Sequence, residues 1–189
     1  DFSRLRIAIS GAAPFPEQGI RHLEAAIGKG KYCEVYGMTE TSPVQTINPA
    51  KRFRPGFVGI PLPGTDLRIV TPGSTESVET GEAGEVIVSG PQVMERYLNS
   101  PQETDNALKE VDGKIWMFTG DIGFLNEEGY LKICDRSKDM LIVGGYKVFS
   151  VELEAKFQEI SFVSSCAVVG FQDAMTTTKF QMKKNKKKS

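Results

Sequence analysis

Histidine is nearly missing from this chain: His22 stands alone, beside Leu23 in a stretch with helical spacing. A serine–histidine or cysteine–histidine nucleophile pair needs an imidazole with partners, so that class of hydrolase is not expected. Cysteine is scarce as well. Cys33, Cys134 and Cys166 are odd in number, widely spaced and set in apolar segments, which speaks against a disulfide framework and against zinc-ligand spacing. They are expected to be small core residues. No apolar run approaches the ~20 residues of a membrane-crossing helix, and no signal-peptide pattern opens the chain. A cytoplasmic setting is expected, with a peripheral membrane contact left open. An excess of one charge is also lacking, with 23 Lys and Arg against 24 Asp and Glu. That balance hides a split. Six lysines fall in the last eleven residues, "KFQMKKNKKKS", which leaves 17 basic against 24 acidic residues, a net of −7, for the rest. Such a run can touch nucleic acid or anionic lipid. Its composition is that of a solvated, disordered end, and no nucleic-acid partner is expected.

The hydrophobic share of 40% and charged share of 25% are ordinary for a globular protein, and 189 residues can bury one core or one domain plus part of another. The chain opens on Asp1 and runs almost at once into a strand pattern, so it reads as a piece cut from a longer protein. "LRIAIS" (5–10) is a short apolar run ending in "GAAPFPE", a small-residue turn. A helix is expected next, with Ile20, Leu23 and Ile27 on one face. "YCEVYG" is the next strand, and strand, helix, strand in this order fit a βαβ unit with a parallel sheet. From about Pro55, "GFVGIPLPGTDLRIV" and "GEAGEVIVSG" read as short alternating strands of a small β-barrel or sandwich, with a turn-rich loop between them. A hairpin follows: "DIGFL", the turn "NEEG", then "YLKICD". After the strand in "RSKDMLIVGGYKVFS", Ser150 is the expected N-cap of a helix that buries Leu153, Phe157 and Ile160. "SCAVVGF" is the last strand, and the remainder has no clear periodicity.

Polar stretches at strand ends carry the chemistry. In parallel sheets, ligands sit at the carboxyl ends of strands, where both "SGAAP" and "YGMTETSPVQTINP" (36–49) fall. Tyr36 offers a face for stacking, Gly37 a close backbone approach, Thr39 a hydroxyl for a phosphate oxygen, and Glu40 a hard carboxylate for Mg²⁺. In "TGDIG" (119–123), Asp121 is placed to bind paired ribose hydroxyls. In "DRSKDMLIVGGYKV" (135–148), Arg136 can donate to ribose or phosphate oxygens, while Lys138 and Asp139 form a charged break. Each signal alone also fits an ordinary surface turn.

Together and in this order, with "GPQVMERYLNSPQET" between them, these motifs closely resemble the adenylate-forming (AMP-binding) superfamily. The superfamily includes acyl-CoA synthetases, aryl-CoA ligases, luciferases and peptide-synthetase adenylation domains. The resemblance covers residues 5–171 and is strongest to long- and medium-chain fatty acyl-CoA synthetases. It implies an α/β fold in fragment form. Residues 1–54 would be the end of the large βαβ-layered AMP-binding subdomain and 55–135 a β-barrel-like subdomain. Residues 136–138 would be a hinge, 139–178 a partial α+β C-terminal domain, and 179–189 a basic tail.

For the site, the resemblance implies Gly11, Ala12 and Ala13 lining the adenine and acyl pocket, and Tyr36, Gly37 and Met38 forming the adenine wall. It further implies Thr39 on the α-phosphate, Glu40 on Mg²⁺, Asp121 and Arg136 at the ribose, and Lys138 at the hinge. The loop holding Gly144 and Gly145 would approach the CoA thiol. The implied activity is fatty acid–CoA ligation with ATP, Mg²⁺ and CoA, through an acyl-adenylate. An aryl-CoA ligase and a non-catalytic AMP- or ATP-binding module are the alternatives. The sequence departs from the superfamily in containing no "TSGTTGxPKG" phosphate loop and no C-terminal "GKI"-type lysine. On that ground the isolated chain is expected to be inactive.

Overall fold

The computed structural model of the chain describes residues 2–13, 15–143, 146–160, 163, 165–171 and 179–185. They form two compact units, one of residues 1–119 and 123–133, the other of 120–122 and 134–189.

The first unit opens with the expected βαβ crossover. Strand β1 (Ala8–Ser10) lies parallel to β2 (Tyr32–Tyr36), in the register Ala8↔Tyr32. Helix α1 (Glu17–Ile27) connects them and buries Ile20 and Ile27 on the face that the three- and four-residue spacing dictates. It stops at Gly28, whose φ of 95° few side chains tolerate and whose N–H bonds Glu24 O at 2.8 Å. Strand β3 (Thr46–Asn48) then pairs antiparallel with β2, and β4 (Ile60–Pro61) with β3, giving the order β1-β2-β3-β4.

β3 lies inside the polar stretch 36–49, where no strand is expected from hydropathy. Its two polar side chains, Thr46 and Asn48, are buried and serve hydrogen bonds instead of an apolar core, while Ile47 between them is half-buried. Asn48 Nδ2 donates to Arg54 O and Phe57 O, its Oδ1 accepts Arg54 N, and Thr46 Oγ1 donates to Val58 O.

The β-barrel-like part is a curled half-barrel of five strands. It comprises β5 (Asp66–Val70), β6 (Gly84–Ser89), β7 (Leu108–Val111), β8 (Lys114–Leu125) and β9 (Leu131–Arg136). The order is β5-β6-β8-β7, with β9 paired to β8. Strict alternation sends Ile69, Val86, Val88, Met117 and Leu131 into one core and Val70, Ile87, Trp116 and Phe118 into another. Both faces of these strands are therefore covered. A short helix, α2 (Pro101–Ala107), precedes β7.

In the second unit, β10 (Leu141–Val143) and β11 (Tyr146–Val148) form an antiparallel hairpin. Helix α3 (Ser150–Gln158) follows, then β12 (Ser165–Phe171). Lys179–Asn185, which composition assigns to a solvated tail, form β13, antiparallel to β12. Two local expectations are corrected. Ser150 is the first helical residue, not the N-cap, and its hydroxyl donates to Asp135 Oδ2 at 2.8 Å. Leu153 and Phe157 are only half-buried and Ile160 is exposed, because α3 packs one narrow side along β12. No helix among the described residues is long and apolar enough to cross a membrane.

Candidate functional site

The carboxyl end of β2 turns sharply over Thr39–Thr41, a single 3-10 turn. Thr41, fully buried, closes it: Thr41 N and Thr41 Oγ1 both donate to Met38 O, at 2.9 and 3.0 Å, and Met38 N donates back to Thr41 Oγ1 at 3.2 Å. With Thr41 so occupied, Thr39 is left exposed and Glu40 half-buried. Gly37 has no room for a side chain, since a Cβ there would lie 1.8 Å from Pro43 O. The missing side chain admits the returning chain, which Gln45 N then ties to Tyr36 O at 2.9 Å. Tyr36 and Met38 are half-buried and pack on the core of Ile69, Val86, Val88, Met117 and Leu131.

Glu40 is gripped twice from a distant segment. Met94 N donates to its main-chain carbonyl at 2.8 Å, and Tyr97 Oη donates to its carboxylate Oε1 at 2.7 Å. That hydrogen bond to an anion, with burial adding to it, pushes the Tyr97 phenol up to about 12. Beyond β1, Gly11, Ala12 and Ala13 form an exposed turn, with Ala12 at a φ of 67°. A Cβ on Gly11 would meet Val35 Cγ2 at 2.8 Å, so this turn lies close against β2.

The second unit holds the other group of candidate residues. Asp121 is buried, and its Oδ1 lies 3.4 Å from Nε of the exposed Arg136. Ser137 N donates to Gly120 O at 2.8 Å, which holds the start of the 136–139 turn against the Asp121 segment. Lys138 is exposed on that turn. Asp135, just ahead, is buried. Its Oδ2 accepts Ser150 N at 2.6 Å and Ser150 Oγ at 2.8 Å, while Oδ1 accepts Arg136 N at 2.8 Å. Gly144 and Gly145 lie outside the described residues.

The structure thus brings Tyr36, Gly37, Met38, Thr39 and Glu40 into one turn and Asp121 beside Arg136. Sequence reasoning passed over Thr41, Tyr97 and Asp135. Thr41 was legible as the third hydroxyl or carboxylate in a row, after Thr39 and Glu40. The other two act across gaps of 57 and 15 residues, which local pattern does not reveal.

No group of three His, Cys, Asp or Glu side chains that could enclose a metal occurs among the described residues. A single half-buried carboxylate at a strand end fits the other mode of Mg²⁺ binding, in which one or two carboxylates share the ion with substrate phosphates.

Residues 1–98 match the AMP-binding enzyme family. A long-chain-fatty-acid–CoA ligase of Bacillus subtilis is 39% identical over 175 residues, covering 92% of this chain and 30% of the ligase. A feruloyl-CoA synthase of an Amycolatopsis species is 36% identical, covering 92% of this chain and 34% of that protein. Among solved structures, ATP-bound MatB from Rhodopseudomonas palustris has a TM-score of 0.82 at 33% identity, covering 96% of this chain and 35% of MatB. The o-succinylbenzoate CoA synthetase of Bacillus subtilis, bound to an acyl-adenylate, has a TM-score of 0.85 at 26% identity, covering 99% of this chain and 37% of that one. The chain thus spans about a third of the length of these relatives. It belongs to the AMP-binding enzyme family and has an α/β fold that is part of the adenylate-forming enzyme fold.

Proposed function

We propose that this chain is the adenosine-binding part of a fatty acid–CoA ligase. Such an enzyme makes an acyl-adenylate from a carboxylic acid and ATP, and CoA thiol then displaces AMP. The observation that carries the reading is the turn after β2, where an exposed hydroxyl and a braced carboxylate stand together at the carboxyl end of a parallel strand. In that reading Tyr36 faces adenine, Thr39 donates to the α-phosphate, and Glu40 would hold Mg²⁺, which neutralises phosphate charge when bound. Asp121 accepts from the ribose hydroxyls, and Arg136 donates beside it. Lys138 marks the hinge of a C-terminal domain whose rotation exchanges the two half-reactions. No side chain is asked to act as a covalent nucleophile, in keeping with the lone His22. Catalysis would come from positioning and charge stabilisation.

This sequence contains neither the superfamily's phosphate loop nor its adenylation lysine. The chain alone should therefore bind AMP or ATP and turn over little. ATP–pyrophosphate exchange and acyl-CoA formation from a long-chain fatty acid test this on the purified chain, with nucleotide binding read by calorimetry. Turnover of ~1 s⁻¹ or more would refute the inactivity. An absence of nucleotide binding would remove the adenosine site itself. The similarity to a feruloyl-CoA synthase keeps an aryl acid as the second reading of the substrate. In a complete ligase containing this chain, aryl acids outcompeting fatty acids in the exchange assay would favour it.

A further inference from the structure

The segment "GPQVMERYLNSPQET" runs along the chain between the nucleotide motifs with no role of its own in the reading above. Its structure is that of a brace. At its far end, Thr104 Oγ1 accepts Tyr97 N at 3.0 Å and donates to Ser100 O at 2.9 Å, anchoring the segment on the first turn of α2. At its near end, Met94 N holds the Glu40 main chain and Tyr97 Oη holds one carboxylate oxygen, Oε1. Two contacts on one residue, one to backbone and one to side chain, fix both where the carboxylate stands and how it is turned.

The donor type matters. A cation site needs its carboxylate ionised and its charge uncancelled. A Lys or Arg partner would hold Glu40 as well, but would compete with the incoming cation for the same charge. A neutral phenol orients one oxygen and leaves the negative charge in place. The other oxygen, Oε2, is then presented in a defined direction. Metal-binding carboxylates are commonly held this way, by hydrogen bonds from residues that do not touch the ion.

We propose that Tyr97 is a positioning residue for Glu40, setting the direction in which its carboxylate meets a divalent cation carried by a nucleotide phosphate. This rests on the reading of Glu40 as the metal-binding carboxylate. An ordinary tyrosine phenol keeps its proton at neutral pH, so it stands as a neutral donor to the ionised Glu40 carboxylate.

The test uses the full chain and Mn²⁺·ATP as the probe, with bound Mn²⁺ counted by electron paramagnetic resonance. Tyr97→Phe keeps the ring and removes the donor, and should weaken Mn²⁺·ATP binding about tenfold, within the usual range for such indirect partners. Glu40→Gln should weaken it at least as much, and the double variant no more than Glu40→Gln alone. If Glu40→Gln weakens binding and Tyr97→Phe does not, the proposal is overturned while the reading of Glu40 stands. If the chain does not bind Mn²⁺·ATP, or neither substitution changes binding, the reading of Glu40 falls and takes the proposal with it. A second measurement needs no variant. In the unsubstituted chain, the Tyr97 hydroxyl proton is held by a charged acceptor and should give a downfield, slowly exchanging proton resonance. Its absence from the spectrum of the folded chain would show that Tyr97 does not hold Glu40, and would overturn the proposal.

Discussion

Glu34 is a carboxylate in the middle of β2, a position where a parallel strand covered on both faces ordinarily carries an aliphatic side chain. It is buried, and burial pushes its carboxyl above the usual range, partly offset by a backbone hydrogen bond from Phe15. The unfolded chain releases this proton at lower pH than the folded chain does. Between those two values the folded state holds more proton, so stability falls as pH rises through that window and stays lower above it. Glu34→Gln should therefore raise the urea midpoint at pH 7 and change it little at pH 4, below the window. Destabilisation at pH 7 but not at pH 4 would instead mean that the ionised carboxylate has a partner, so that burial does not set its titration. The sequence shows a glutamate in an apolar run but not whether it is buried. That depends on which segments return to β2, among them its paired neighbour β3, which hydropathy did not disclose, and the Phe15 backbone that bonds Glu34. Tyr97 makes the same point at the candidate site. Glu40 was legible because a carboxylate in a turn after a strand is a local pattern, whereas its partner is set by how the chain returns.

Elements whose side chains are chosen for an apolar face were legible. β1, α1, β2, β5, β6, β8, β9 and β12 all fall on segments with a period of 2, a period of 3.6, or a continuous apolar run. Elements whose side chains are chosen to satisfy polar groups were not. β3 spends Thr46 and Asn48 on the carbonyls of the 54–58 loop. The β7–β8 hairpin was missed although Asp112 and Gly113, at φ of 53° and 74°, are a two-residue turn of the kind that favours Asp-Gly. The start of α3 is the sharpest case. Ser150 looks like a cap by type, but the group that satisfies the helix N-terminus is Asp135, through Ser150 N and Ser150 Oγ together. Asp135→Ala should loosen α3 far more than Ser150→Ala, which leaves the N–H bond intact. Hydrogen exchange at residues 150–153 should speed up by roughly 10-fold in Asp135→Ala, the equivalent of losing a good cap. Equal acceleration in the two variants would assign the stabilisation to the serine hydroxyl alone.

For the molecule as a whole, the exposed apolar surface matters more than any single bond. Ile7 and Ile9 lie on one side of the β1 segment with 45% and 61% of their surfaces exposed, and Phe2 and Phe15 nearby are also open. β1 is at the edge of its sheet, hydrogen-bonded to β2 alone within the described strands. An edge with unpaired backbone groups and a bare aliphatic face is a template for pairing with another chain. In solution the chain should therefore self-associate as its concentration rises, and sedimentation velocity should show species larger than 20.8 kDa. Ile9→Lys places a charge on that face at a position too exposed to support the core, so it should suppress the association. The melting temperature should hardly move, since substitutions at such sites usually change stability by less than ~0.5 kcal/mol. The alternative source of association is the basic segment, whose lysines would make it weaken as salt rises. Association through β1 is apolar and should persist or strengthen at high salt. A salt-sensitive association that survives Ile9→Lys would therefore move the sticky surface from the sheet edge to the other end of the chain.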